Sequence, residues 1–213
     1  MKKVICALFD MDGVMIDTES QYDKFWKHTG ERFGLGIQDF EKKIKGATLP
    51  GIFKRFFSEY DEKDIRNISA DLDKFEAQMS FDEIAGSVNF VKELKSKGVT
   101  VGLVTSSSIT KMNAVNNTLH FDELFDIVIT AADIEHGKPA PDCFLLAAKK
   151  LNINPQDCIV FEDSFAGIEA GTAAGMTVIG LATTNSKESL ESKCQAVIPN
   201  FEGFTLEKLE ELR

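Results

Sequence analysis

Asp10 and Asp12 stand two residues apart in FDMDGV, residues 9–14, directly after the apolar run 4–9 and with Gly13 behind them. Two carboxylates this close repel each other unless a positive charge lies between them. Alone, DMDG also suits a surface turn. It is not the twelve-residue calcium loop, whose third acidic position is missing here. Other apolar runs end in the same manner. Thr105, Ser106 and Ser107 close GLVTSSS, Lys138 sits in HGKPAP, and Glu162 with Asp163 follow IVF in IVFEDSFAG. Gathered in one place, the acids would suit an oxygen-liking divalent cation. Magnesium fits best, because it fills its remaining positions with water and substrate phosphate. One aspartate can then attack phosphorus as a covalent nucleophile, with the cation shielding the repulsion. Asp12 can protonate the departing alkoxide and later take a proton from water. Thr105 and the backbone N–H of Ser106 can hold phosphoryl oxygens, while Lys138 neutralises the charge spread over them.

These residues need strand ends to carry them. Residues 4–9 read as a short buried strand. Further strands are expected at 100–104, 126–130, 158–161 and 177–180, with a short edge strand at 196–198. Helices are expected between them, at about 109 to 118, 139 to 151 and 165 to 174, with a last one near 205 to 212. Strands that are apolar throughout, alternating with helices, predict an α/β fold: a Rossmann-like, mostly parallel sheet covered by helices on both faces. Ligands of such sheets gather beyond the strand C-termini.

Between the first strand and this alternation the period changes. Tyr22, Phe25, Trp26, Thr29 and Phe33 mark one helical face, and Ile52, Phe53, Phe56, Phe57 and Tyr60 a second. Ile65, Ile68, Leu72, Phe75 and Met79 mark a third. The expected division is a catalytic α/β core of residues 1–14 and 83–213 and an inserted helical-bundle cap of residues 15–82.

The chain has 213 residues and a net charge of −10. That balance disfavours nucleic acid or an anionic membrane as the main partner, yet allows a small phosphate compound beside a bound metal. The apolar N-terminal run is broken by Asp10 too early for a signal peptide, and a cytoplasmic protein is expected. Cys6, Cys143, Cys158 and Cys194 are scattered without zinc spacing. GxGxxG and GxxxxGK[ST] are both missing, which disfavours a dinucleotide site and a nucleotide P-loop.

In order and type, DMDGV, Thr105, Lys138 and EDS resemble the motifs of the haloacid dehalogenase-like hydrolases, in the branch of β-phosphoglucomutase and its small phosphatases. The resemblance covers almost the whole chain and includes a helical cap inserted after the first motif. It implies that Asp10 is the nucleophile and Asp12 the acid/base. It further implies that Mg2+ is held by Asp10, Asp163 and the backbone carbonyl of Asp12, with Glu162 nearby, often through water. Dehalogenases proper lack the second acid of the first motif and need no magnesium, so Asp12 argues against halogen removal.

The cap is expected to choose the ester, and its candidate residues are Thr18, Glu19, Tyr22, Lys45 and Gly46. Thr18 also suits a helix N-cap and Glu19 an acid of a first helical turn. Lys45 and Gly46 match the specificity loop of the mutase. Two positions depart from it: the mutase has histidine at Tyr22 and arginine at Leu49. Leucine cannot clamp a second phosphate, and a phenol does not replace imidazole near neutral pH. Hydrolysis of a small phosphate monoester, such as a sugar phosphate, through an aspartyl phosphate is therefore the expected activity. The alternatives are β-phosphoglucomutase or a related hexose-phosphate mutase and, ranked lower, a non-catalytic phosphate-responsive module. The expected partner is a small phosphorylated metabolite, and the expected state a monomer, with a dimer as the alternative.

Overall fold

The computed structural model describes residues 4–45 and 47–212. Gly46, one of the cap candidates, lies outside the described residues. Among the described residues, six strands form one sheet: β1 (Cys6–Phe9), β4 (Thr100–Val104), β5 (Ile127–Ile129), β6 (Cys158–Glu162), β7 (Thr177–Leu181) and β8 (Ala196–Ile198). The remaining two, β2 (Ile16–Asp17) and β3 (Asp82–Glu83), pair with each other. Every pairing in the large sheet is parallel, and the order is β5-β4-β1-β6-β7-β8. Numbered among themselves, these strands run 3-2-1-4-5-6, the Rossmann order, whose topological switch lies beside β1. The chain thus brings Asp10 to the crevice where such sheets bind ligands.

Alternation along each strand feeds two cores. Ala7, Phe9, Val101, Leu103, Ile159 and Phe161 point to one face. There they meet α5 (Ser87–Ser96), α6 (Ile109–Leu119), α7 (Phe121–Leu124) and α11 (Leu206–Glu211). Phe9 stacks on Phe161 at 4.7 Å between ring centroids. Cys6, Leu8, Val104, Cys158 and Val160 point to the other face, against α8 (Asp142–Leu151), α9 (Phe165–Ala173) and α10 (Lys187–Leu190). Both faces are covered, which is why these strands carry no polar stripe. The described cysteines are free thiols. Among the described residues no helix is long and apolar enough to cross a membrane.

Among the described residues of the insertion the helices are α1 (Glu19–Arg32), α2 (Phe40–Lys43), α3 (Leu49–Phe56) and α4 (Glu62–Glu76). They have a hydrophobic cluster of their own, built on Trp26, Phe40, Ile52, Phe57, Ile68 and Leu72. Thr48 caps α3 by accepting from the backbone N–H of Gly51, and Asp61 caps α4 by accepting from that of Asp64. The second aromatic stripe runs past its helix. α3 ends at Phe56, because the Tyr60 hydroxyl donates to the backbone carbonyl of Phe33 at 2.6 Å and draws the chain out of helical register. Met79, the last residue of the third stripe, likewise lies beyond α4.

The insertion leaves the sheet through a tight turn. The backbone N–H groups of Met15 and Ile16 donate to the Met11 carbonyl, and that of Gly13 donates to the Ile16 carbonyl. Gly13 has φ +76°, a conformation that favours glycine. Ile16 then pairs with Glu83 and Asp17 with Asp82, antiparallel, so the outgoing and returning chains run side by side. Where the chain re-enters the sheet, Gly86 has φ +81°, and a β-carbon there would stand 2.5 Å from the Phe201 carbonyl oxygen.

Candidate active site

The Asp10 N–H donates to the Phe161 carbonyl at 3.0 Å, continuing the sheet ladder one residue past β1. Its carboxylate is thereby held at the strand tip, where Lys138 meets it. The Lys138 ammonium donates to Asp10 Oδ1 at 2.5 Å, to Glu162 Oε1 at 2.7 Å and to the Val104 carbonyl at 3.3 Å, with the Phe144 ring 5.1 Å away. Lys138 is thus buried between two acids from adjacent strand ends. Burial alone would lower its pKa; the two carboxylates outweigh that and raise it.

Glu162 has donors on both oxygens. Its Oε2 accepts from the backbone N–H groups of Asp163 and Ser164, at 2.9 Å each, and from the Ser164 hydroxyl at 3.0 Å. Ser164 also accepts from the Gly167 N–H and so caps α9. The place of a β-carbon on Gly167 falls 1.6 Å from Glu162 Oε1, so only glycine lets the helix approach this carboxylate.

Asp12 is held by different partners. Thr18 Oγ1 and Lys111 Nζ donate to its Oδ1, and the Ser107 hydroxyl donates to its Oδ2 at 2.9 Å. Burial pushes the Asp12 carboxyl up, but the Lys111 charge and the three donors bring it below the ordinary range. The two acids of DMDG therefore diverge. Asp10 is pushed up to about 8, by burial first and then by Glu162 and Asp12, against the opposing pull of Lys138. Asp163, buried and repelled by Glu162, Glu19 and Asp10, is raised well above the usual carboxylate range.

Asp10, Asp12, Thr105, Ser106 and Asp163 line one pocket, roofed by the inserted helices through Glu19, Tyr22, Trp26, Lys45 and Leu49. Thr105 Oγ1 accepts from the Ser107 N–H at 3.0 Å, which folds the TSS segment over the end of β4. Thr18 occupies the N-cap position of α1, yet its hydroxyl serves Asp12 and makes no capping bond. Glu19 and Asp23 bind Lys45 at 2.8 and 3.1 Å, so the lysine charge is matched within the cap itself. The Tyr22 hydroxyl donates to Glu76 at 2.7 Å. Burial, together with Asp12 and Glu76, raises that phenol well above its ordinary pKa.

Sequence reasoning missed Lys111, Glu76, Ser107 as a partner of Asp12, and Ser164. In SSSITKMNAV a lysine on a helix gives no sign of burial by its type, yet Lys111 is 0% exposed and Ile109 55%. Lys111 and Val115, four residues apart, share the buried face of α6.

The acids also bear on a metal. Among the described residues, no group of three or more acidic, histidine or cysteine side chains is already gathered for an ion. Asp10 and Asp163 are nonetheless buried carboxylates raised by burial and by repulsion from neighbouring acids, and among the described residues the acids that Lys138 pairs with are Asp10 and Glu162. Two such carboxylates, a backbone carbonyl and waters make an oxygen donor set that fits magnesium. Asp163 Oδ2 lies 2.1 Å from the place a β-carbon on Gly13 would take, so a side chain at Gly13 would displace it.

The model of the family described as haloacid dehalogenase-like hydrolase matches residues 7–181. A probable pseudouridine-5'-phosphatase of Saccharomyces cerevisiae is 36% identical over 197 residues, covering 83% of this chain and 81% of that protein. A fructose-1-phosphate phosphatase of Escherichia coli K12 is 33% identical over 180 residues, covering 81% of this chain and 93% of that one. The crystal structure of a β-phosphoglucomutase from Clostridium difficile superposes with a TM-score of 0.83 at 27% identity, covering 98% of this chain and 96% of that one.

Proposed function

This chain belongs to the haloacid dehalogenase-like hydrolases, and we propose that it is a magnesium-dependent phosphatase of a small phosphate monoester, such as a sugar phosphate. The observation that carries the reading is the pairing of unlike acids in one pocket: Asp10 beside Lys138, and Asp12 beside Lys111, Thr18 and Ser107. Asp10 Oδ2, the oxygen opposite the Lys138 bond, attacks phosphorus and forms the aspartyl phosphate. Asp12 gives the leaving alkoxide its proton and then takes one from the attacking water. A bound phosphate dianion raises Asp12 by repulsion towards the acid form needed first, and departure of the alcohol favours the base form needed second. Thr105 and the Ser106 N–H hold phosphoryl oxygens, and Lys138 faces the charge that develops on them. Asp10, Asp163 and the Asp12 carbonyl would hold the magnesium, whose contribution is to screen the attacking carboxylate from the phosphoryl oxygens. Glu162, with both oxygens already bonded, orients Lys138 and the start of α9.

The division into a core of residues 1–14 and 83–213 and a cap of 15–82 belongs to the same proposal, with the cap choosing the ester. Hydrolysis is favoured over the mutase reading by the roof of the pocket. Leu49, matched to the mutase's arginine, lines the pocket and offers no clamp for a second phosphate, and Lys45 is bound to Glu19 and Asp23. Relatives named as phosphatases of pseudouridine 5'-phosphate and fructose 1-phosphate support a hydroxylated monophosphate.

Phosphate release from a panel of sugar, polyol and nucleoside monophosphates, with and without magnesium, tests the reading. We expect magnesium-dependent release from at least one hydroxylated monoester. Silence across the panel in magnesium-loaded protein would sink it. Conversion of β-glucose 1-phosphate to glucose 6-phosphate faster than phosphate release would establish the mutase instead.

A second expectation concerns pH. Asp10 stands at about 8 in the metal-free fold, against about 4 for an aspartate in an unfolded chain. Between those values the folded state binds the extra proton, so metal-free stability falls as pH rises through that window, and Asp163 acts in the same direction. Magnesium relieves the ionised pair. Its addition is therefore expected to raise Tm more at pH 8 than at pH 5, and an equal rise at both would contradict the assigned carboxylates.

A further inference from the structure

We propose that Lys111 is a positioning residue for Asp12, holding its carboxylate where protons pass to and from the reacting oxygen, with Tyr22 of the inserted helices covering the ammonium. This rests on the phosphatase reading above. An ammonium withdrawn from water is costly unless it is fully partnered. Here α6 sends Lys111 inward to 0% exposure and leaves Ile109 at 55%. Both placements oppose hydrophobic sorting, and one contact accounts for both: Lys111 Nζ on Asp12 Oδ1.

The lysine itself is fixed from behind. Its backbone N–H donates to Ser108 Oγ, the N-cap of α6, at 3.2 Å. The Ser108 hydroxyl also donates to Glu76 at 3.4 Å, and Glu76 accepts from the Tyr22 hydroxyl at 2.7 Å. That bond sets the Tyr22 ring against Lys111, whose Nζ lies 4.3 Å from the ring centroid. Helices α1 and α4 of the insertion and α6 of the sheet domain thus converge on one ammonium.

The three partners of Asp12 are not equivalent. The hydroxyls of Thr18 and Ser107 both donate and accept, so they can follow the carboxyl through either protonation state. Lys111 only donates. It keeps one oxygen of Asp12 facing itself throughout, which directs the other lone pairs towards the pocket.

The test compares leaving groups. Wild type and Lys111→Met are assayed in magnesium on p-nitrophenyl phosphate and on the alkyl phosphate that wild type turns over best. The ratio kcat/KM covers only the steps through formation of the aspartyl phosphate, and p-nitrophenolate departs without needing a proton. We expect the alkyl ester to lose ~100-fold in kcat/KM and p-nitrophenyl phosphate less than ~5-fold. A merely structural strut would lower both alike, so a uniform loss, or no loss on either, overturns the proposal while leaving the phosphatase reading intact. A wild type inactive on every ester brings down that reading and this proposal together. Should Lys111→Met fail to fold, Lys111→Gln is measured on the same pair of esters: an unequal loss supports the positioning role, and an equal loss or none overturns it.

Discussion

Asp10→Asn is expected to stop turnover, with a loss of at least ~10,000-fold, because it removes the carboxylate that would bond to phosphorus. The amide has nearly the shape of the acid and can still lie beside Lys138, so the fold should survive. Substrate binding should survive too, since the repulsion between a carboxylate and the phosphoryl oxygens is gone. The informative measurement is rapid quench followed by intact mass. Wild type should show a phosphoryl adduct that Asp10→Asn lacks, even with a substrate whose leaving group departs unaided. A normal adduct in the variant would move the nucleophile to another residue. Asp12→Asn should differ in kind. It retains the nucleophile and should lose ~100- to 10,000-fold on alkyl esters, less on esters with good leaving groups.

Lys138→Met should damage stability and activity together. Lys138 is buried between Asp10 and Glu162, and removing one partner of such a cluster strands the others. A loss of ~3–5 kcal/mol is expected in the metal-free protein by urea denaturation. The phosphoryl oxygens also lose their cation, so kcat should fall ~100- to 1,000-fold. The double variant Lys138→Met/Glu162→Gln separates the two roles. Neutralising Glu162 should return part of the stability and none of the activity. Recovery of both would make Lys138 a structural residue only.

The sheet was legible because its physics is local. A strand buried on both faces must be apolar along its whole length, so a run such as residues 100–104 reveals both limits of β4. Its first polar successor, Thr105, then marks the ligand side. Helix ends were harder. Nothing near Phe57 breaks a helix by composition, and the chain departs there because Tyr60 reaches the Phe33 carbonyl, a contact between distant segments. The same limit hid Lys111 and Glu76. Each is a charged residue on a helix, ordinary in its neighbourhood, and each is buried by partners that lie 99 and 54 positions away in the chain. Thr18 falls between these cases: its position before α1 was readable, whereas its bond to Asp12 depends on the turn at Gly13.

That turn leads into β2, and β2 lies against β3 where the inserted helices return. The two ends of the insertion are therefore held one strand spacing apart, about 4.8 Å. For the remainder of the chain, the excursion from β2 to β3 has almost no net displacement. A detour of this kind can be lengthened, shortened or replaced without altering where the flanking backbone must go, and its closure entropy grows only with the logarithm of its length. The roof over the pocket is in this sense a cassette. Grafting the corresponding helices of a relative between Asp17 and Asp82 should change which ester is accepted, while the strand tips that bear Asp10, Thr105 and Asp163 keep their places.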